Sequence, residues 1–231
     1  MIISESKKFI FLHNPKCAGT TVRNTLGLFD TRNNYYWLFD EIDGKKIDKA
    51  HLTLNILRRY SPQDFLLFQE YFVFGFVRNP YDRVISAFNE GHIKLYRKFK
   101  KNEVELSEYK EKLNAFCTSL TLKNTLGWDI KYRHCIQQSK MFYLENKCYA
   151  DVILKLEELD ESSEKLLLFI PDISPAVQLW SQKTSDKNVK KLELGIVDLL
   201  SKESIKSVER VYAEDFLVFD YDKISGTGSI N

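Results

Sequence analysis

The 231-residue chain has no long apolar run. Its longest apolar stretches, Tyr71–Val77 and Leu166–Ile170, fall well short of the roughly 18 residues that a membrane span takes. The opening, MIISESKKFIFLHNPKCAG, sets two lysines ahead of four apolar residues, too few for the apolar segment of a secretion signal. A chain without a membrane span, resident in a cytoplasm, is therefore expected. Charge of one sign is missing as well: Lys+Arg 34 against Asp+Glu 32 leaves +2. No bulk field draws the molecule to nucleic acid or an anionic membrane, so anion binding has to come from local clusters. Cysteine is scarce, and Cys17, Cys117, Cys135 and Cys148 show neither CxxC spacing nor a companion histidine cluster. A metal site is not expected, and reduced thiols of a cytosolic protein are. Nine glycines and five prolines exclude a collagenous or Pro/Gly-rich disordered chain.

What is present is an ordinary globular balance, 44% hydrophobic and 29% charged. At this length about 70% of the unfolded surface can be buried. No internal repeat or low-complexity linker divides the chain. One domain over 1–224 is expected, followed by a flexible tail over 225–231 that carries Ser225-Gly226-Thr227-Gly228-Ser229.

Phe9-Ile10-Phe11-Leu12 is continuously apolar, the pattern of a strand covered on both faces, as in a parallel sheet. After His13-Asn14-Pro15-Lys16-Cys17-Ala18-Gly19, the residues Val22, Leu26 and Phe29 take helical spacing. Phe72–Val77 is the clearest buried strand, and Tyr81, Val84, Ile85 and Phe88 follow it as the apolar stripe of a helix. Two strand–loop–helix units thus appear. Residues 30–50 read as a loop with at most a short strand, 52–60 as a helix, and 93–112 as an exposed, charge-rich helix pair or insertion. A third strand is expected over 152–156, a C-terminal helix around Ile205, Val208 and Tyr212, and a last turn or strand over 215–219.

A loop between a buried strand and a helix N-terminus aims backbone N–H groups and the positive helix end at an anion. Lys16 adds a mobile cation there, Gly19 a close backbone approach, and Thr20 and Thr21 hydroxyls. The GxxxxGK[ST] pattern is absent, since Lys16 precedes Gly19, which speaks against an ATP or GTP hydrolase. In the second unit Arg78 stands at the carboxyl end of a strand, where open α/β sheets gather ligands. Ser86 follows about two helical turns later. A capped turn at the first loop, and an Arg78–Asp82 pair at the second, remain the plain structural readings. Two anion loops on one sheet imply a ligand with two separated anionic groups.

These residues carry a resemblance. His13–Thr21 resembles the phosphosulfate loop of sulfotransferases, written close to H-x-P-K-T-G-G-T-S. Phe76–Phe88 is similar, nearly residue for residue, to the family's 3′-phosphate segment, V-R-N-P-Y-D-R-L-V-S-A-Y. His134-Cys135-Ile136-Gln137-Gln138, Leu156-Glu157-Glu158-Leu159 and Tyr212–Tyr221 resemble the H-x-x-P-Q, R-x-E-x-L and closing stretches of the carbohydrate (Golgi-type and bacterial) branch. Cys17, Ala18 and Gln137 depart from those patterns. The resemblance implies a single α/β domain with a P-loop-like parallel central sheet flanked by helices. It also implies a cosubstrate, 3′-phosphoadenosine 5′-phosphosulfate (PAPS), and a glycan or other hydroxyl-bearing acceptor. By matching position, Lys16, Cys17, Ala18, Gly19, Thr20 and Thr21 would hold the 5′-phosphosulfate, and Arg78 and Ser86 the 3′-phosphate.

Sulfuryl transfer is an in-line displacement that needs donor and acceptor positioned, charge on the leaving oxygen neutralised, and the acceptor proton removed. Lys16 is expected on the leaving-group side, with no metal required. Of the four histidines, His51 is the expected base. It lies between the two anion loops in the chain, and related sulfotransferases carry a similar histidine. His134, His13 and His92, and then Glu41, Asp43 and Glu70, are the other candidates. The run Lys94, Arg97, Lys98, Lys100, Lys101 reads either as a grip for an anionic glycan or as a solvated face. Tyr35, Tyr36 and Trp37 either stack on a sugar or pack inside. A catalytically inactive nucleotide-binding module of the same fold and a P-loop kinase using ATP and Mg²⁺ are the alternatives.

Overall fold

The computed structural model describes residues 1–175, 177, 178, 180 and 194–226. Strand β1 (Ile2–Ser4) leads into β2 (Phe9–Leu12), and α1 (Gly19–Leu26) follows the first anion loop. A hairpin of β3 (Phe39–Ile42) and β4 (Lys45–Asp48) precedes α2 (Leu54–Tyr60) and α3 (Pro62–Leu66). Then come β5 (Phe72–Val77), α4 (Pro80–Gly91), α5 (Ile93–Lys100) and α6 (Leu106–Ser119). A short turn of helix, α7 (Ser139–Phe142), leads to the small hairpin β6 (Tyr143–Leu144) and β7 (Lys147–Cys148). After β8 (Val152–Lys155) and α8 (Leu159–Leu167), the described chain ends in helices Ile196–Leu199, Lys202–Val211 and Ala213–Val218.

The central sheet has the order β1-β2-β5-β8. β2, β5 and β8 run parallel, and β1 adds an antiparallel edge, with Ile3 opposite Ile10. Alternation across the pleat explains the uninterrupted apolar strands. Ile10, Leu12, Val73 and Val77 face a core shared with Leu54, Leu57 and Phe142. Phe9, Phe11, Phe74 and Phe76 face the opposite core with Val22, Leu26 and Leu166. A third apolar cluster joins the Tyr81–Phe88 stripe to Tyr109, Leu113, Val208 and Tyr212.

The expected parallel central sheet flanked by helices is present, and β1 adds an antiparallel edge to it. The structure differs from expectation in two places. The loop expected over 30–50 contains the β3–β4 hairpin, which turns at Asp43 (φ 48°) and Gly44 (φ 72°), the paired positive φ of a tight two-residue turn. The segment 215–219 lies in a helix and its end, not a strand. Of the expected tail, residues 227–231 lie outside the described residues, while Ser225 donates from its backbone N–H (2.9 Å) and its hydroxyl to the Glu209 carboxylate.

Candidate functional site

Because β2 and β5 are parallel neighbours with Leu12 opposite Gly75, the loops leaving their carboxyl ends emerge side by side. In the first loop Lys16 (φ 66°) and Ala18 (φ 58°) sit in the left-handed region, which curls the backbone into a concavity of N–H groups. The N–H groups of Lys16, Cys17, Ala18, Gly19 and Thr20 find no acceptor among the described residues; those of Thr21 and Val22 bond the Ala18 carbonyl at 2.9 and 3.1 Å. α1 has no acidic residue in its first turn and no side-chain cap, so its positive end is left for a ligand. Holding alanine in the left-handed region costs about 1 kcal/mol, a strain of the kind stored at functional loops. Gly19 is fixed by contact: a Cβ there would lie 1.6 Å from His13 Nε2.

The second loop closes on α4, where Pro80 takes the first helical position and Asn79 Oδ1 accepts the Tyr81 N–H at 3.0 Å. Arg78 is half-buried, and its guanidinium makes no hydrogen bond or ion pair among the described residues. The Arg78–Asp82 pair is therefore not formed. Ser86 is half-buried on α4, four residues before Glu90 and hence on the same face. Glu90 forms an ion pair with Lys16. Burial works to raise the Glu90 pKa, and the Lys16 ammonium, helped by His134 and Arg133, brings it below the usual value. Burial pushes the Cys17 thiol up to about 12 against the pull of Arg83 and Arg78, so this cysteine is not a nucleophile.

Gln138 ties the two loops together from below. Fully buried, it accepts at Oε1 from Asn14 Nδ2 (2.9 Å) and the Arg78 N–H (3.0 Å), and its Nε2 donates to the Arg78 carbonyl at 2.8 Å. Asn14 Nδ2 also donates to the Phe76 carbonyl at 2.9 Å. The Gln138 and Ser139 N–H groups are held at 2.8 Å by the two carboxylate oxygens of Asp215, which is itself fully buried. Gln137, where the family pattern has proline, uses the N–H that proline lacks to bond the Thr125 carbonyl at 2.9 Å.

Three histidines meet beside the first loop. His51 ends a short turn, Lys49–His51, capped by Asp48, whose Oδ1 accepts the Ala50 N–H at 3.0 Å. Its Nδ1 lies 3.2 Å from the His13 carbonyl oxygen; donation there leaves Nε2 with the free lone pair. Ring centroids are 4.4 Å apart for His13–His51 and 5.3 Å for His51–His134. His134 Nδ1 lies 3.8 Å from Glu90 Oε1, so Lys16, Glu90, His134, His51 and His13 form one continuous chain. Burial is the chief cause that holds His13 and His51 well below their ordinary pKa, and it lowers His134 to about 4 although Glu90 opposes it. All three imidazoles are neutral at neutral pH.

The other candidates stand elsewhere. His92 closes α4 with Nδ1 3.1 Å from the Phe88 carbonyl. Asp43 pairs with Arg59, and Glu41 and Glu70 are exposed. Tyr36 is core, its hydroxyl bonded to Asp64. Trp37 lies between the His13 ring (4.8 Å) and the Arg23 guanidinium (4.2 Å) and walls the first loop. Lys94, Arg97, Lys98, Lys100 and Lys101 are all exposed. Sequence reasoning overlooked Glu90, Asn14, Asp48 and the clamp made by Gln138; only Glu90 had a local signal, its helical spacing from Ser86.

Two loops at the carboxyl ends of neighbouring parallel strands, one carrying N–H groups and the other a guanidinium that find no partner among the described residues, set two anion-attracting features side by side on an α/β domain. The family model described as the sulfotransferase family matches residues 1–222, and the chain belongs to that family. The curated proteins it resembles include carbohydrate sulfotransferase 11 of Rattus norvegicus and of Mus musculus. Each is 23% identical over 245 residues, which cover 96% of this chain and 66% of the relative. The chain thus spans just under two thirds of those relatives' length. No solved structure matches it significantly. Family membership removes the P-loop kinase alternative. Among the described residues no helix is long and apolar enough to cross a membrane.

Proposed function

We propose that the protein transfers the sulfuryl group of PAPS to a hydroxyl of a carbohydrate acceptor, with His51 as general base. The observation that carries this reading is that, on neighbouring loops, the N–H groups of residues 16–20 and the Arg78 guanidinium all lack a partner among the described residues. PAPS, when bound, supplies a sulfuryl group on a bisphosphate leaving group. The residues present fit it: the N–H groups of 16–20 and the Thr20 and Thr21 hydroxyls suit the 5′ end, and Arg78 with Ser86 suits the 3′-phosphate.

In this reading Lys16 neutralises charge growing on the leaving oxygen, an interaction stronger in the transition state than before it. To act there its ammonium exchanges Glu90 for the ligand. His51 accepts the acceptor's proton at Nε2: burial keeps the ring neutral and the His13 carbonyl fixes its tautomer. The carbohydrate acceptor rests on the name of the relatives and on the exposed aromatic surface of Tyr35 and Phe39 beside Lys49 and Lys46. A cytoplasmic setting belongs to the same reading, supported by four free cysteines, three of them buried.

A labelled sulfate-transfer screen across glycans tests it, run beside His51→Ala. Transfer to at least one glycan is expected, with turnover in the variant reduced roughly 10²- to 10⁴-fold and affinity for the donor little changed. Near-normal turnover in the variant removes His51 as base. Binding of adenosine 3′,5′-bisphosphate with no glycan sulfated leaves the inactive binding module instead.

A further inference from the structure

We propose that Asp48, His51 and His134 form a binding site for a late transition-metal dication, of which Zn²⁺ is the type. A carboxylate oxygen and one nitrogen from each imidazole lie within 4.8 Å of one another. Small side-chain rotations bring such a set to the separations that a tetrahedral ion with bonds of about 2.0–2.2 Å requires, with water completing the shell. The donor set of two imidazoles and one carboxylate favours zinc, cobalt, nickel or copper over magnesium and calcium, which take oxygen ligands.

The surroundings are also those of metal-bound histidines, which hand their second N–H to a carbonyl or carboxylate. His51 does so, with Nδ1 3.2 Å from the His13 carbonyl oxygen, while His134 Nδ1 lies 3.8 Å from Glu90 Oε1, beyond hydrogen-bond distance. Asp48 Oδ1 accepts the Ala50 N–H at 3.0 Å, and Oδ2 lies 3.3 Å from Arg133 Nε. The ion would therefore share Oδ2 with Arg133. Asp48 and His134 are half-buried and His51 is buried, so the ion enters from the Asp48–His134 side. Binding does not depend on the reaction. Its consequence does rest on the proposed function: an ion held on the His51 lone pair removes the base, so zinc inhibits transfer.

The test is a titration of the untagged full chain with Co²⁺, followed by visible d–d absorption, alongside Asp48→Asn and His134→Ala. Wild type should bind one Co²⁺ with the intense band of four- or five-coordination, displaced by Zn²⁺. Each variant should bind at least tenfold more weakly, while its circular dichroism stays that of wild type. Absence of the band, equal affinity in all three proteins, or a near-ultraviolet sulfur charge-transfer band showing cysteine ligation would overturn the site. Transfer assayed with added Zn²⁺ separates the two claims. Inhibition reversed by chelator and weakened in His134→Ala is expected. A cobalt site with undiminished transfer upholds the metal site and dismisses His51 as the base.

Discussion

Gly19→Ala offers a sharp reading of the first loop. Gly19 has helical backbone in α1, and on helix propensity alone alanine would be better there by about 1 kcal/mol. Contact reverses that sign. The added Cβ would stand 1.6 Å from Nε2, 1.8 Å from Cδ2 and 2.7 Å from Cε1 of His13, so relief at ordinary contact distances needs the ring to move about 2 Å. The ring is held between Trp37 and His51, at centroid distances of 4.8 and 4.4 Å, and cannot yield without displacing both. A cost near the top of the overpacking range, about 3 kcal/mol, is expected. For a domain of this size that lowers the melting temperature by roughly 6–12 °C. Thermal unfolding followed by circular dichroism reads it, with His13→Ala as the second arm of a double-mutant cycle. In the His13→Ala background, Gly19→Ala should cost less than about 1 kcal/mol, leaving a coupling of about 2 kcal/mol. A melting temperature that is unchanged or raised by Gly19→Ala in wild type would refute the packing argument.

The buried histidines make stability depend on acidity. His134 falls from 6.5 to about 4 in the fold, so between those values the unfolded chain binds more protons. Its contribution is whole above about pH 7, shrinks as pH falls through 6.5 toward 4, and amounts to about 3 kcal/mol at 1.36 kcal/mol per unit. His13 and His51 act in the same direction. Urea unfolding at several pH values should show a steeper acid loss for wild type than for His134→Gln, and parallel curves would contradict the burial argument. Gln138→Leu keeps the volume and deletes the clamp, leaving the Asn14 amide and both Arg78 backbone groups without Gln138. A loss of about 2–4 kcal/mol in urea stability is expected, with affinity for adenosine 3′,5′-bisphosphate falling at least tenfold; unaltered affinity would show that the loops hold their places without Gln138.

How far the sequence discloses this molecule varies with the range of the forces involved. Phe9–Leu12 and Phe72–Val77 were legible because strands covered on both faces have no polar alternation to confuse them, and the α4 stripe because four apolar residues share one helical face. β1 is three residues long and owes its existence to pairing with β2, so nothing local marks it. The β3–β4 hairpin was hidden by exposed, charged strands, although Asp43-Gly44 carried the turn. Within the site, Lys16 and Arg78 were visible as cations at strand ends, but the use of Gln138 as a clamp depends on partners 124 and 60 residues away. The meeting of His13, His51 and His134 is likewise tertiary, and no spacing in the chain displays it.

The most direct measurement is a crystal structure of the protein with adenosine 3′,5′-bisphosphate, together with calorimetry on Lys16→Ala and Arg78→Ala. The account predicts the 5′-phosphate on the N–H groups of residues 16–20 with Lys16 released from Glu90. The 3′-phosphate should lie on Arg78 and Ser86, and either substitution should weaken binding about tenfold or more. A nucleotide bound away from these loops, or unaltered affinity in both variants, would contradict it.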